Sequence, residues 1–205
     1  MLLPLRELFL PKECVGCRHP GVIVCSECEQ VFRSIPSPVS LRIDPQVPTF
    51  SLGPLGGVRR RTIIQIKERG RYDAIPFLGA VLRASVEYLY VCGHLPEPVI
   101  LVPAPTKRSS ARKRGGDPVR RICQASGMEV ADCLYLREST QESVGLSATH
   151  RARNMQRAVA LKSQLKGNVV VVDDVLTTGA TMRASVNALS WAGANVYGVL
   201  ALSHA

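Results

Sequence analysis

Residues 169–181, Val-Val-Val-Val-Asp-Asp-Val-Leu-Thr-Thr-Gly-Ala-Thr, constrain this chain more than any other stretch. Val169 to Val172 run without polar alternation, so a strand built from them must be covered on both faces. Such a strand belongs in the middle of a parallel sheet, whose neighbours need crossover connections, usually helices. The run ends in two carboxylates, Asp173 and Asp174, and Thr177-Thr178-Gly179 then leads into a helix expected from about Gly179 to Ala192. A helix start presents free backbone N–H groups where an anion can sit, and a monophosphate fits there. Gly179 lets the backbone come close, and the hydroxyls of Thr177, Thr178 and Thr181 can add hydrogen bonds to phosphate oxygens. Asp173 and Asp174 stand beside that pocket as acceptors suited to the two adjacent hydroxyls of a ribose.

The rest of the chain fits the same class. Apolar runs at Val99–Val102 and Val130–Leu136, and a β-compatible ending at Asn195–Leu202, alternate with helical stretches. Between Asp73 and Val91 the residues Ile75, Leu78, Leu82, Val86 and Leu89 recur at helical spacing and predict one buried face. The expected fold is α/β, a mostly parallel sheet flanked by helices, and 205 residues suffice for one such domain plus a small module. Residues 34–50 carry Pro36, Pro38, Pro45 and Pro48, too dense for a helix or an interior strand, and read as a linker between a 1–33 module and a 51–205 domain. No apolar run approaches the roughly 20 residues a membrane helix needs. The best, Leu78–Leu95, is broken by Arg83 and Glu87, so no membrane insertion is expected. Arg6 and Glu7 interrupt the apolar N-terminus and no cleavage site follows, so the chain is expected to be cytoplasmic.

The 1–33 module holds Cys14-x-x-Cys17 and Cys25-x-x-Cys28, separated by seven residues. Two thiolate pairs at this spacing can close a tetrahedral S₄ site, and zinc is the expected ion. The short loop predicts a compact knuckle, with His19 inside it as a competing ligand. A four-thiolate site has no open position for catalysis, so its role is structural: a segment this short cannot bury a core of its own. Cys92, Cys123 and Cys133 lack any motif and read as small core hydrophobes.

The carboxylate pair precedes the phosphate turn, the reverse of a dinucleotide fingerprint, and the chain lacks a G-x-x-x-x-G-K-[ST] loop. All thirteen positions of Val169–Thr181 instead resemble the phosphoribosyl-pyrophosphate (PRPP) motif of type I phosphoribosyltransferases. The order of four N-terminal cysteines, LVPAP at 101–105, a basic stretch, Gln141 to Asn154 and this motif resembles the competence protein ComF family over nearly the whole chain. One departure is visible: where that family often has Arg-Gly-Phe-Asn-Gln, this chain has Arg114-Gly115-Gly116-Asp117-Pro118.

The resemblance implies a phosphoribosyltransferase-like protein that binds PRPP with Mg²⁺ and transfers its phosphoribosyl group to an acceptor, releasing pyrophosphate. Substrate contacts would come from Val175, Leu176, Thr177, Thr178, Gly179, Ala180 and Thr181, with Asp173, Asp174, Lys107 and Arg108 in the catalytic set. Pro103 to Arg108 would be the pyrophosphate loop, its donors the amides of Ala104, Thr106 and Lys107 and the side chains of Lys107 and Arg108, with X-Pro bonds that make a cis turn affordable. Residues from Arg137 through Gln141, Gly145, Leu146 and Ser147 to Arg151 and Asn154 resemble the loop that closes over PRPP, with Arg137 and Arg151 as substrate ligands. Such a lid would keep water from a cation-like sugar. The chain stops at Ala205 with no extension to recognise a base, so the cysteine module and residues 51–70 are expected to form the hood.

The alternative is a non-catalytic PRPP sensor or scaffold that binds single-stranded DNA and serves DNA uptake during natural transformation, with a competence-machinery protein as partner. The net charge of +10 favours anionic partners. Basic residues cluster at 59–71 (Arg59, Arg60, Arg61, Lys67, Arg69, Arg71) and 107–121 (Lys107, Arg108, Arg112, Lys113, Arg114, Arg120, Arg121). Only Tyr72 adjoins them as a stacking platform, which predicts weakly selective, salt-sensitive binding.

Overall fold

A computed structural model describes residues 12–137 and 159–205. Helix α1 (Ser26–Phe32) is followed by strands β1 (Ser37–Pro38) and β2 (Thr49–Ser51), then by helices α2 (Gly57–Arg69) and α3 (Ile75–Val91). Strand β3 (Ile100–Pro103) leads to α4 (Arg108–Lys113) and α5 (Pro118–Ala125). Strands β4 (Leu134–Leu136), β5 (Val159–Leu161) and β6 (Gly167–Leu176), helix α6 (Ala180–Trp191) and strand β7 (Ala194–His204) complete the described elements.

Five strands form one sheet in the order β1-β2-β7-β6-β3, parallel throughout except for β1. β6 lies inside it, between β7 and β3, and alternation within the valine run explains the missing polar residues. Val170 and Val172 pack with Ile66 of α2, Leu78 and Leu82 of α3 and Ile122 of α5. Val169 and Val171 point the other way, against Met182, Val186 and Leu189 of α6. Register aligns Pro103 with Val172 and both Asp173 and Ser51 with Ala201. The carboxyl ends of β2, β7, β6 and β3 therefore emerge along one edge, where ligands of open α/β sheets bind.

The periodic helix is where the spacing puts it: Leu78, Leu82, Val86 and Leu89 are at most 1% exposed. With the 3₁₀ turn before it, Tyr72–Val91 is long and apolar enough to cross a membrane by length and composition, Arg83 and Glu87 notwithstanding; its Leu78, Leu82, Val86 and Leu89 face is buried in the core, and Arg83 and Glu87 pair on its exposed side. Val130–Leu136 divides in two. Val130 bridges to Leu101 beside the main sheet, and Leu134–Leu136 pairs antiparallel with β5. Within the expected linker, Ser37 and Pro38 form an edge strand, a place that tolerates a residue without an N–H. Cys123 and Cys133 are buried as expected, whereas Cys92 is exposed, because it caps the end of α3 one turn beyond the last core leucine.

Candidate functional site

The carboxylates of β6 have different surroundings. Asp174 is buried, and Lys67 of α2 lies 2.7 Å from each of its carboxylate oxygens. Asp173 is partly buried, and its Oδ1 accepts the Asp174 backbone N–H at 2.8 Å. Burial, and then the Asp174 charge, push the Asp173 carboxyl well above the usual carboxylate range, and the Asp174 amide and the Lys67 charge only partly offset them. Lys67 belongs to the 59–71 basic stretch, and nothing in the local pattern ties it to a residue 107 positions away.

After Leu176 the chain turns through Thr177 and Thr178, both exposed, to Gly179 at the start of α6 with φ +88°. Thr178 Oγ1 accepts the Ala180 N–H at 3.4 Å, and the Thr181 carbonyl accepts the Ser185 hydroxyl. The surface of Gly179 is not open. A Cβ there would fall on the carbonyl oxygen of Ile43 and lie 3.1 Å from the Leu41 Cβ. Ile43 N–H donates to the Thr178 carbonyl at 2.8 Å, and Arg183 Nη1 donates to the Asp44 carbonyl at 2.5 Å. Residues 41–44, from the expected linker, thus form a strap against the turn, while Thr177 and Thr178 stay exposed. The backbone approach that glycine permits is made here by the strap. A groove of about 550 Å³ lies under the same loop, lined by Pro38, Leu41, Asp44, Thr49, Phe50 and His94, with the last two rings 5.1 Å apart.

Just beyond β3, Ala104 and Pro105 are buried, Thr106 is half-buried, and Lys107 and Arg108 are exposed at the start of α4. The Ala104 amide is not a free pyrophosphate donor, because it extends the sheet by donating to the Val172 carbonyl at 2.8 Å. The bonds to Pro103 and Pro105 are trans; the cis bond among the described residues is Glu97–Pro98. Arg137 is exposed at the end of β4. Gln141, Gly145, Leu146, Ser147, Arg151 and Asn154 lie outside the described residues. The departing sequence after α4 has a local explanation: Asp117 caps α5, accepting the Val119 and Arg120 N–H groups, with Pro118 in the first turn.

The basic stretches separate sharply. In 59–71, Arg59 donates to the Val31 and Leu52 carbonyls and to the Ser34 hydroxyl, Arg61 to the Gly16 carbonyl and Arg71 to Asp73 and the Glu13 carbonyl, while Lys67 holds Asp174. Arg60 and Arg69 remain exposed. In 107–121, Arg114 pairs with Glu68, Arg120 with Asp132, and Arg121 stacks over Tyr72 at 4.1 Å. Lys107, Arg108, Arg112 and Lys113 stay exposed along α4.

The ligand atoms of Cys14, Cys17, Cys25 and Cys28 lie within 4.8 Å of one another, and the Cys17 and Cys25 sulfurs are 3.5 Å apart. A tetrahedral zinc–thiolate site, with bonds of about 2.3 Å, has edges of about 3.8 Å, so these four thiols can hold such an ion. Burial raises the Cys14 thiol, but backbone hydrogen bonds from Cys25, Cys17 and Gly16 outweigh it and bring it down to about 6, whereas burial and the neighbouring thiols push Cys28 up and the Cys17 thiol is raised as well, so the case for a metal rests on the spacing of the four sulfurs. His19 contributes its backbone carbonyl, which accepts the Cys14 N–H at 2.8 Å.

No family model and no curated protein matches the chain. Among solved structures, it is similar to the orotate phosphoribosyltransferase from Aeropyrum pernix. The two share 20% identity and a TM-score of 0.37 over 71% of this chain. The match spans 64% of that protein's length, just short of two thirds.

Proposed function

We propose that this chain is a phosphoribosyltransferase-like protein of the ComF kind that binds PRPP and transfers its phosphoribosyl group to an acceptor, with release of pyrophosphate. One observation carries the reading: adjacent carboxylates stand near the end of an inner parallel strand, two residues before a threonine-rich turn into a helix. In this reading the 5-phosphate sits at the turn, held by the Thr177 and Thr178 hydroxyls and by helix-start amides. Asp174 accepts a ribose hydroxyl, and Asp173 stands beside it. Lys107 and Arg108, exposed where β3 ends, supply charge to the pyrophosphate. Neither carboxylate acts as a nucleophile; the protein positions the sugar and stabilises the leaving group.

Magnesium, which would travel with PRPP, neutralises pyrophosphate charge when bound. Both Asp174 oxygens are taken by Lys67 and Asp173 Oδ1 by the Asp174 amide, so the second oxygen of Asp173 and the oxygens of PRPP itself would be the hard donors left to hold it. The cysteine cluster is assigned to structural zinc on its thiolate chemistry and spacing.

Calorimetric titration with PRPP and Mg²⁺, followed by a pyrophosphate-release screen over nucleobase and amine acceptors, tests the reading. Saturable binding is expected, and Asp174→Asn should weaken it by about 1–2 kcal/mol, as for a hydrogen bond to a charged group. No heat of binding at millimolar PRPP would refute it. Binding without turnover would favour the second reading, a PRPP sensor that holds single-stranded DNA. The exposed cations at Lys107, Arg108, Arg112 and Lys113, which pair with no carboxylate among the described residues, favour that one, with Arg60 and Arg69 the exposed remainder of the first stretch.

A further inference from the structure

The cysteine module and the carboxylate pair are far apart in sequence, yet one helix touches both. At its N-terminal end α2 is fastened to the module. Arg61 Nε donates to the Gly16 carbonyl, and Gly16 has no room for a side chain because a Cβ would meet Cys28 Sγ at 2.6 Å and Val58 Cγ1 at 2.8 Å. Arg59 Nη2 adds the Val31 carbonyl at 2.6 Å, where α1 leaves the module, together with the Ser34 hydroxyl and the Leu52 carbonyl, each at 2.7 Å. Just beyond the C-terminal end, Arg71 Nη2 reaches the Glu13 carbonyl at 2.8 Å. Between these anchors stands Lys67, its ammonium 2.7 Å from both oxygens of Asp174. Arg61 and Lys67 are six residues apart on one helix, a rigid span of about 9 Å.

We propose that Lys67 is a positioning residue that holds the Asp174 carboxylate in place for the ribose, and that the four-cysteine module fixes Lys67 by clamping α2. This rests on the PRPP reading of the site. It gives the module a task in that site other than roofing it: loss of the knuckle frees the segment that carries the Gly16 and Glu13 carbonyls, and α2 with it. A lysine beside a carboxylate adds a fixed positive charge, and its geometry is only as good as the backbone that carries it. Asp174 itself accepts from ribose; Lys67 acts through it.

The test uses the full chain as purified with its metal. PRPP–Mg²⁺ affinity is measured for wild type, Lys67→Met, Lys67→Arg, Cys17→Ser and the Lys67→Met/Cys17→Ser double variant, with amide hydrogen exchange of residues 57–69 as a readout independent of ligand. Cys17 is the exposed ligand, so its replacement opens no core cavity. Lys67→Met should weaken PRPP at least tenfold, and Lys67→Arg should restore most of the loss. Cys17→Ser should weaken PRPP about tenfold and speed exchange across 57–69, yet add less than twofold in the Lys67→Met background, because both changes break one path. Losses that multiply in the double variant, or unchanged exchange in Cys17→Ser, would overturn the link between module and lysine. Wild-type affinity in Lys67→Met would overturn the role of Lys67 while leaving PRPP binding intact. A wild-type protein that binds no PRPP overturns the reading of the site and the positioning role together, whereas the clamp on α2 is still decided by the exchange data.

Discussion

Gly179→Ala separates what the turn does for itself from what the strap does to it. Gly179 sits at φ +88° and ψ −7°, a conformation that costs a residue with a Cβ about 1–2 kcal/mol. The added methyl would land on the Ile43 carbonyl oxygen, with the Leu41 Cβ and the Ile43 carbonyl carbon at 3.1 and 3.2 Å. The obstacle is backbone, so no side-chain rotation relieves it and the strap must lift. Lifting it breaks the 2.8 Å bond from Ile43 N–H to the Thr178 carbonyl, worth about 0.5–1.5 kcal/mol, and strains the Arg183 contact to the Asp44 carbonyl. The sum is a destabilisation of about 2–4 kcal/mol, a large share of the roughly 5–15 kcal/mol that holds a typical domain. Gly193→Ala is the internal control: Gly193 has φ +90°, but nothing lies within 4 Å of the position its Cβ would take. It should show the backbone cost alone, about 1–2 kcal/mol. Urea unfolding followed by circular dichroism gives both values. Equal losses in the two variants would mean that residues 41–44 do not press on the turn, and the strap would have to be abandoned.

Replacing Cys14 and Cys25 together by Ser should abolish a metal content of one zinc per chain, read by plasma emission on protein purified without chelator; a metal-free wild type would refute the assignment. Asp173→Asn should raise the thermal midpoint at pH 7 but not near pH 3. The folded protein holds the Asp173 proton more tightly than the unfolded chain does, so the stability linked to it is complete below the ordinary carboxylate range and is lost as pH rises through the raised value. A tenfold difference in proton affinity is worth about 1.4 kcal/mol, and Asn keeps the acceptor for the Asp174 amide. A gain of the same size at both pH values would point to a cause other than charge. Asp117→Ala should cost about 1 kcal/mol in urea unfolding by uncapping α5, with Asp117→Ser near neutral; equal losses in both would deny the capping role.

Legibility followed the range of the interactions involved. β6, α3 and α6 were readable because each carries its own signal, an unbroken valine run, a 3- and 4-step apolar stripe and a glycine start, and none needs a distant partner to be recognised. β1 and β2 were not. At two and three residues they have no periodicity, and what makes them strands is the prior existence of β7, to whose Val199, Leu200 and Ala201 the residues of β2 bond. The same holds at the site. Asp173, Asp174 and the threonines stand in one local motif, whereas Lys67 and the 41–44 strap reach it only through tertiary packing.

Charge shows most clearly what a linear count misses. Two basic stretches of similar density looked equivalent as anion-binding surfaces. Folding spends four of the six cations in the first on the cysteine module, on Asp73 and on Asp174, because α2 runs between the module and the sheet and its guanidinium groups are the longest donors available to satisfy backbone carbonyls there. The second stretch starts in a six-residue helix none of whose residues is buried, and its cations from Lys107 to Lys113 meet no carboxylate among the described residues. A net charge of +10 is thus a sum over groups with opposite fates, some holding the fold together and some left exposed. Which is which depends on where acceptor oxygens are placed, information that no window of sequence contains.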